Sequence, residues 1–149
     1  MSAQAWKVYN NSKKQIGNGN LSLANTKFRL NLYTSASNAA TLTLKVIGSL
    51  NNEVSEANGY SSSGKPVVTP IWTVGRSAKE YKFSFDPLSW SANGGNISNV
   101  KFAVVWLSGT SANNRYALCV SSLTSSQFNI AASNRLTVSP AAIGVLTLN

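Results

Sequence analysis

The side chains able to do acid, base or nucleophilic chemistry are few. The 149-residue chain has no His, its carboxylates are Glu53, Glu56, Glu80 and Asp86, and its single thiol is Cys119. A Ser nucleophile needs a base within hydrogen-bond reach, and neither a Ser-His-Asp triad nor a Cys-His dyad can be built from this set. One cysteine closes no internal disulfide and makes no zinc site, so Cys119 is expected as a buried thiol. Glu53 and Glu56 share a polar stretch and would have to borrow carbonyls to hold calcium; they are expected as a solvated pair. Asp86 precedes Pro87, a context in which Asp bonds its own backbone and caps a turn. The expectation is a protein that is not an enzyme and carries no cofactor or metal.

What remains is binding. Thirteen Lys and Arg against four acids give a formal charge of +9, which invites a nucleic-acid reading through release of counterions from phosphates. The basic residues are spread singly from Lys7 to Arg135, with only Lys13 and Lys14 adjacent, and no Arg-rich or aromatic-glycine RNA-binding segment accompanies them. A generic basic surface suited to an acidic partner is expected, without specific nucleic-acid binding. Spaced Lys on strand edges also discourages sheet-to-sheet aggregation. Trp6, Trp72, Trp90 and Trp106 could stack on sugars or bases, or fill the core. Trp72 and Trp106 stand in apolar strands and are expected inside. Trp90 lies between a proline turn and a glycine turn, where it either plugs the end of the fold or anchors a partner. The candidate interface residues are Trp6, Lys7, Tyr9, Lys13, Lys14 and Trp90, with an N-terminal strand or arm over about residues 1–10 able to pair with a neighbour's sheet edge.

The elements that must position these residues read as strands. Phe28, Leu30 and Leu32 alternate with Arg29, Asn31 and Tyr33, and the same period of two runs through Thr41 to Val46, Tyr81 to Phe85 and Tyr116 to Ser121. That alternation places Cys119 on the face opposite Tyr116, Leu118 and Val120. Val100 to Leu107 is apolar on both faces apart from Lys101, the pattern of a central strand. Shorter strands are expected at Ala5–Tyr9, Asn20–Leu23, Pro66–Val74, Gln127–Ile130, Asn134–Val138 and Gly144–Leu148. Turn formers separate them, including Gly17 to Asn20, Asn58-Gly59, Ser61 to Gly64, Asn93 to Gly95 and Asn113-Asn114. Asn51 to Lys65 is a long polar loop of the kind that carries function or an interface. Helix signal is nearly absent: Ala36 to Ala40 is too short to stand alone and Pro140 to Ala142 allows one turn.

With 43% apolar and 11% charged residues the chain should fold, as a single domain over residues 1–149. About ten short strands predict an all-β antiparallel sandwich of jelly-roll type, although a closed barrel produces the same alternation. The longest apolar stretch, Phe102 to Leu107, is far too short to span a bilayer, and the first residues lack the apolar core of a secretory signal. No membrane association is expected, and the product is expected to be cytosolic when made.

One series of residues carries a likeness. Ile16-Gly17-Asn18-Gly19, the run Phe28 to Ala39, Leu50 to Val54, Ala57 to Tyr60, Gly64-Lys65, Trp72-Thr73, Asp86-Pro87 with Trp90, Gly94-Gly95 before Ile97, Ala103 to Val105 and Ile143 to Leu148 resemble a family of small structural proteins of tailed bacteriophages. The likeness spans nearly the whole chain and transfers no catalytic residue. It implies a virion protein, with a capsid decoration or cement protein on the outer head surface as the leading expectation. The implied partners are the major capsid protein, or tail and neck proteins, and copies of the chain itself in a homo-oligomer, a trimer first. Alternatives are a tail, neck or baseplate component and a host-carbohydrate-binding adhesion module with Trp90 or Tyr60 as the sugar platform. Where familiar members have an acidic run ahead of the Pro-Trp segment, this chain has Lys79-Glu80-Tyr81-Lys82 and a spaced Leu88-Ser89.

Overall fold

The computed structural model describes residues 3–24, 27–109, 111–141 and 144–148. Its strands all pair antiparallel, and the fold is all-β and sandwich-like, with one short α-helix among the described residues. The central element is β8 (Phe102–Leu107), flanked by β2 (Phe28–Tyr33) and β9 (Ala117–Ser122). All six residues of β8 are buried, which is why this strand reads as apolar on both faces. β1 (Lys7–Val8) and β3 (Lys65–Pro66) complete a five-stranded sheet in the order β1-β9-β8-β2-β3. A three-stranded sheet has the order β12-β5-β4, from β4 (Ile71–Val74), β5 (Tyr81–Ser84) and β12 (Leu146–Leu148). Two further pairs are β6 (Leu88–Ser91) with β11 (Arg135–Val138), and β7 (Ile97–Val100) with β10 (Phe128–Ile130).

One face of the five-stranded sheet packs against the smaller sheets in a shared core. Phe28 and Phe83 meet across it with ring centroids 5.4 Å apart. The other face carries a second apolar cluster of Tyr9, Tyr33, Phe102, Val104, Ala117 and Val120. That face is covered by irregular chain, including Ala39, Leu42, Leu44 and Leu50.

Four expectations are corrected. Thr41 to Val46 alternates in burial as its sequence does, but it forms turns and loop rather than a strand, with an isolated Val46–Tyr116 bridge as its backbone pairing and Leu42 and Leu44 packed on the sheet's second face. Asn20 to Leu23 is likewise turn and loop. Pro66 to Val74 divides into β3 and β4 around Thr69, whose φ of 50° breaks the extended run. Cys119 does not face away from Leu118: the register shifts between Val105 and Trp106, and this bulge turns Leu118 and Cys119 into the same core.

A helix, α1 (Asn10–Gly17), forms where none was expected. Asn10, Asn11, Ser12 and Gly17 are poor helix formers, its first turn holds no acid, and Tyr9 at its N-cap makes no side-chain capping bond. Tertiary contacts hold it instead. The Ser12 hydroxyl, fully buried, donates to Ala117 O at 2.5 Å, and Asn10 N–H donates to Leu42 O. The Asn58-Gly59 turn forms as the sequence predicts, with both residues at positive φ (54° and 100°) and Ala57 bridged to Tyr60. The turn expected at Pro140 to Ala142 falls partly outside the described residues, as do Met1 and Ser2 of the N-terminal arm.

Candidate functional site

Three of the four acids are tied into the fold by hydrogen bonds. Glu53 is half-buried beside β2, where its Oε1 accepts the Tyr60 hydroxyl at 2.6 Å and Asn31 Nδ2 at 2.9 Å. Asn31 in turn accepts the Trp106 indole N–H at 2.9 Å, and Tyr60 Oη accepts Leu32 N–H. The result is a continuous chain, Trp106 to Asn31 to Glu53 to Tyr60, that fastens the 51–64 segment onto the sheet. Burial pushes the Glu53 carboxyl above the usual range, only partly opposed by the Tyr60 and Asn31 bonds, so it is not the solvated acid expected. Burial likewise raises the Tyr60 phenol, with Glu53 adding to the shift.

Glu56 receives both the hydroxyl and the backbone N–H of Ser62, which hold it below the usual range. Glu80, buried at 4% exposure, accepts Arg76 N–H at 2.9 Å and the Arg76 guanidinium at 3.3 Å; these bonds lower its pKa, the backbone N–H foremost. Asp86 is exposed, and the bond made at this position is from its backbone N–H to Val68 O. The expected cap through its carboxylate does not form among the described residues. Cys119 is wholly buried, and burial drives its thiol far above the range in which a reactive thiolate forms. Among the described residues no three His, Cys, Asp or Glu gather as a metal site, and no helix is long and apolar enough to cross a membrane.

The expected interface residues separate into two sets. Tyr9 and Trp90 are interior, at 0% and 1% exposure. The Tyr9 hydroxyl donates to Ala39 O at 2.5 Å, joining the second core. Lys65 donates to Ser89 O and holds its ammonium 5.5 Å from the Trp90 ring, so Trp90 plugs the fold rather than anchoring a partner. Tyr60, at 3%, is equally buried, and neither ring offers a face to a sugar. Trp6 is half-buried against the edge of Phe85. Lys7, Lys13 and Lys14 are exposed.

The N-terminal segment does not extend as an arm over its described part. Gln4 N–H donates to Ser122 O, the Ser121 hydroxyl donates to Gln4 O, and Tyr9 N–H donates to Leu118 O. It is the edge strand of its own chain's sheet, which is where its alternation is satisfied.

Sequence reasoning missed a different surface. Among the described residues, the large apolar side chains most open to solvent are Val68, Ile71, Val74, Tyr81 and Leu148, all on or beside the β12-β5-β4 sheet. The turn joining β4 to β5 carries exposed Arg76 and Lys79, while its one acid, Glu80, is turned inward. The signal lay in the Lys79-Glu80-Tyr81-Lys82 run, which sets an aromatic ring among charged residues. Against known proteins, the chain matches no family model, no curated protein and no solved structure.

Proposed function

We propose that this chain is a non-enzymatic structural protein of a tailed-phage particle, which decorates the outer surface of the head by binding the major capsid protein. The observation that carries the binding part is the disposition of polar and apolar groups. Glu53, Glu56 and Glu80 are tied into structural hydrogen bonds, whereas apolar side chains gather on one basic-rimmed sheet. Such a surface suits docking onto an acidic, assembled protein shell, where charge complementarity speeds and orients association. The phage assignment rests on the sequence resemblance. Salt should loosen the attachment by screening its rim charges.

The test is immunogold labelling of purified particles with an antibody to the chain, scored by electron microscopy. Dense label over heads is the expected result. Label confined to tails or necks would contradict the head assignment, and particles without label would contradict a virion role altogether.

A further inference from the structure

The β12-β5-β4 sheet is wider than the core beneath it. Leu146, Phe83 and Trp72 are cross-strand partners in one row, with Phe83 fully buried and its two neighbours packed against the core. Two residues further along each strand, Leu148, Tyr81 and Val74 form the next row in the same register. A displacement of two residues keeps side chains on the same face of a sheet. This second row therefore continues the core-facing surface, yet its members are 58%, 45% and 47% exposed. The sheet overhangs its core by one row of apolar side chains.

The overhang has a floor and a facing wall. Trp72 stacks on Tyr81 with centroids 6.2 Å apart and planes 23° apart, stiffening the row. Ile16 of α1 with Leu23 and Ala24 lines a cavity of about 260 Å³ together with Trp72 and Leu148. The rim is basic: Arg76 and Lys79 stand in the β4–β5 turn, and Lys13 and Lys14 on the helix that supplies Ile16. Glu80 pairs with Arg76 at 3.3 Å and offsets that one charge, leaving Lys79, Lys13 and Lys14 to set the sign of the rim.

We infer that this overhang is the docking surface, and that its occupant is an acidic patch of a different particle protein, which projects an apolar side chain into the groove beside Trp72 and Leu148. The inference rests on the virion reading above and names the surface that reading requires. A second copy of the chain is a poor occupant, since it would set the same basic rim and the same net charge of +9 against itself. A nucleic acid would match the rim, but the exposed ring of the row, Tyr81, is already stacked on Trp72, and Val74 and Leu148 beside it are aliphatic.

The experiment places the photo-crosslinker p-benzoylphenylalanine at Tyr81, and in a parallel sample at Asn129 of β10, in the full chain assembled into particles. Immunoblotting before illumination establishes that the chain is present; its absence from particles would overturn the virion reading, and this inference with it. Where it is present, position 81 is expected to crosslink to a different protein through a peptide of net negative charge. Crosslinking of position 81 to a second copy, or no product from it, would overturn the inference while leaving the virion reading intact. A second arm uses Lys79→Glu, an exposed change expected to leave the unfolding midpoint unchanged. Particle-bound copies should fall about tenfold at low salt, with the difference narrowing as salt rises. Retention equal to that of the parent at every salt concentration would overturn the electrostatic part of the proposal.

Discussion

Two regions of this molecule treat their surplus polar and apolar groups in opposite ways. The 51–64 segment looks in sequence like a free functional loop, yet it is stitched down: Glu53 and Tyr60 join the Asn31–Trp106 chain, and Arg29 donates to Ser63 O and Gly64 O. The β12-β5-β4 sheet looks like ordinary core strand, yet it leaves an apolar row in solvent. A buried polar group must find partners or cost stability, so a polar loop that lies against a sheet becomes structure. An exposed apolar row costs little in the monomer and stabilises only when something covers it. The contrast assigns scaffold duty to the polar loop and contact duty to the strands.

The largest expected effect comes from the N-terminus, which belongs to the stitched part. Deleting residues 1–9 removes Val8 and Tyr9 from the two cores, and burial of that pair is worth about 5 kcal/mol. The truncated chain should lose cooperative unfolding in a urea titration. A sharp transition at the parent midpoint would return the segment to the role of a detachable arm.

Gly64→Ala comes next. A Cβ at this position would lie 1.9 Å from Asn31 Oδ1 and 2.4 Å from Leu30 O, on a backbone with φ of 67°. The strain and the displaced Asn31 bonds should cost about 3 kcal/mol, read as a lowered denaturation midpoint. A loss under about 1 kcal/mol would mean that the loop is not sewn to the sheet as described.

Glu53 gives a smaller effect with a definite sign. Burial raises its pKa, so between the unfolded value and the raised one the native state holds a proton that the unfolded chain has released. Its contribution to stability is fully present below the unfolded pKa and is lost as pH rises through the folded value. Glu56 and Glu80 run the other way, their contributions present above the ordinary carboxylate range and lost as pH falls through their lowered values. Glu53→Gln keeps a carbonyl oxygen to accept from Tyr60 and Asn31 while removing the buried charge. The stability of this variant relative to the parent should therefore increase from about pH 4 to about pH 7; parallel pH curves would contradict the assignment. Smallest of all, Val74→Ser on the overhang should shift stability by no more than about 0.5 kcal/mol. A core-sized loss there would show that the row is interior.

Much of the fold was legible because period-two alternation survives in the structure. β2 and β5 lie where the alternation put them, β8 lies in the run read as apolar on both faces, β10 and β11 lie in two of the shorter segments, and the Asn58-Gly59 turn followed from the residues' tolerance of positive φ. The misses share a cause. Alternation reports which side chains are covered, not what covers them, so Leu42 and Leu44 pack on the second core from a chain of turns. Nor does it report an inserted residue, so the bulge at Leu118 that sets Leu118 and Cys119 on one face left no mark. Helix α1 is set by partners distant in sequence, such as Ala117, and local propensity argued against it. At the candidate site, alternation placed Tyr81 correctly on the face of Phe83. Where the core beneath that face ends is decided by the neighbouring elements, and no periodicity encodes it.

The most direct test of this division of labour is hydrogen–deuterium exchange on the chain free in solution and bound to particles. Binding should add protection within residues 68–82 and 146–148 and leave residues 51–64 as they are in the free protein. Protection gained across 51–64, with 68–82 unchanged, would contradict the account and move the contact surface to the loop.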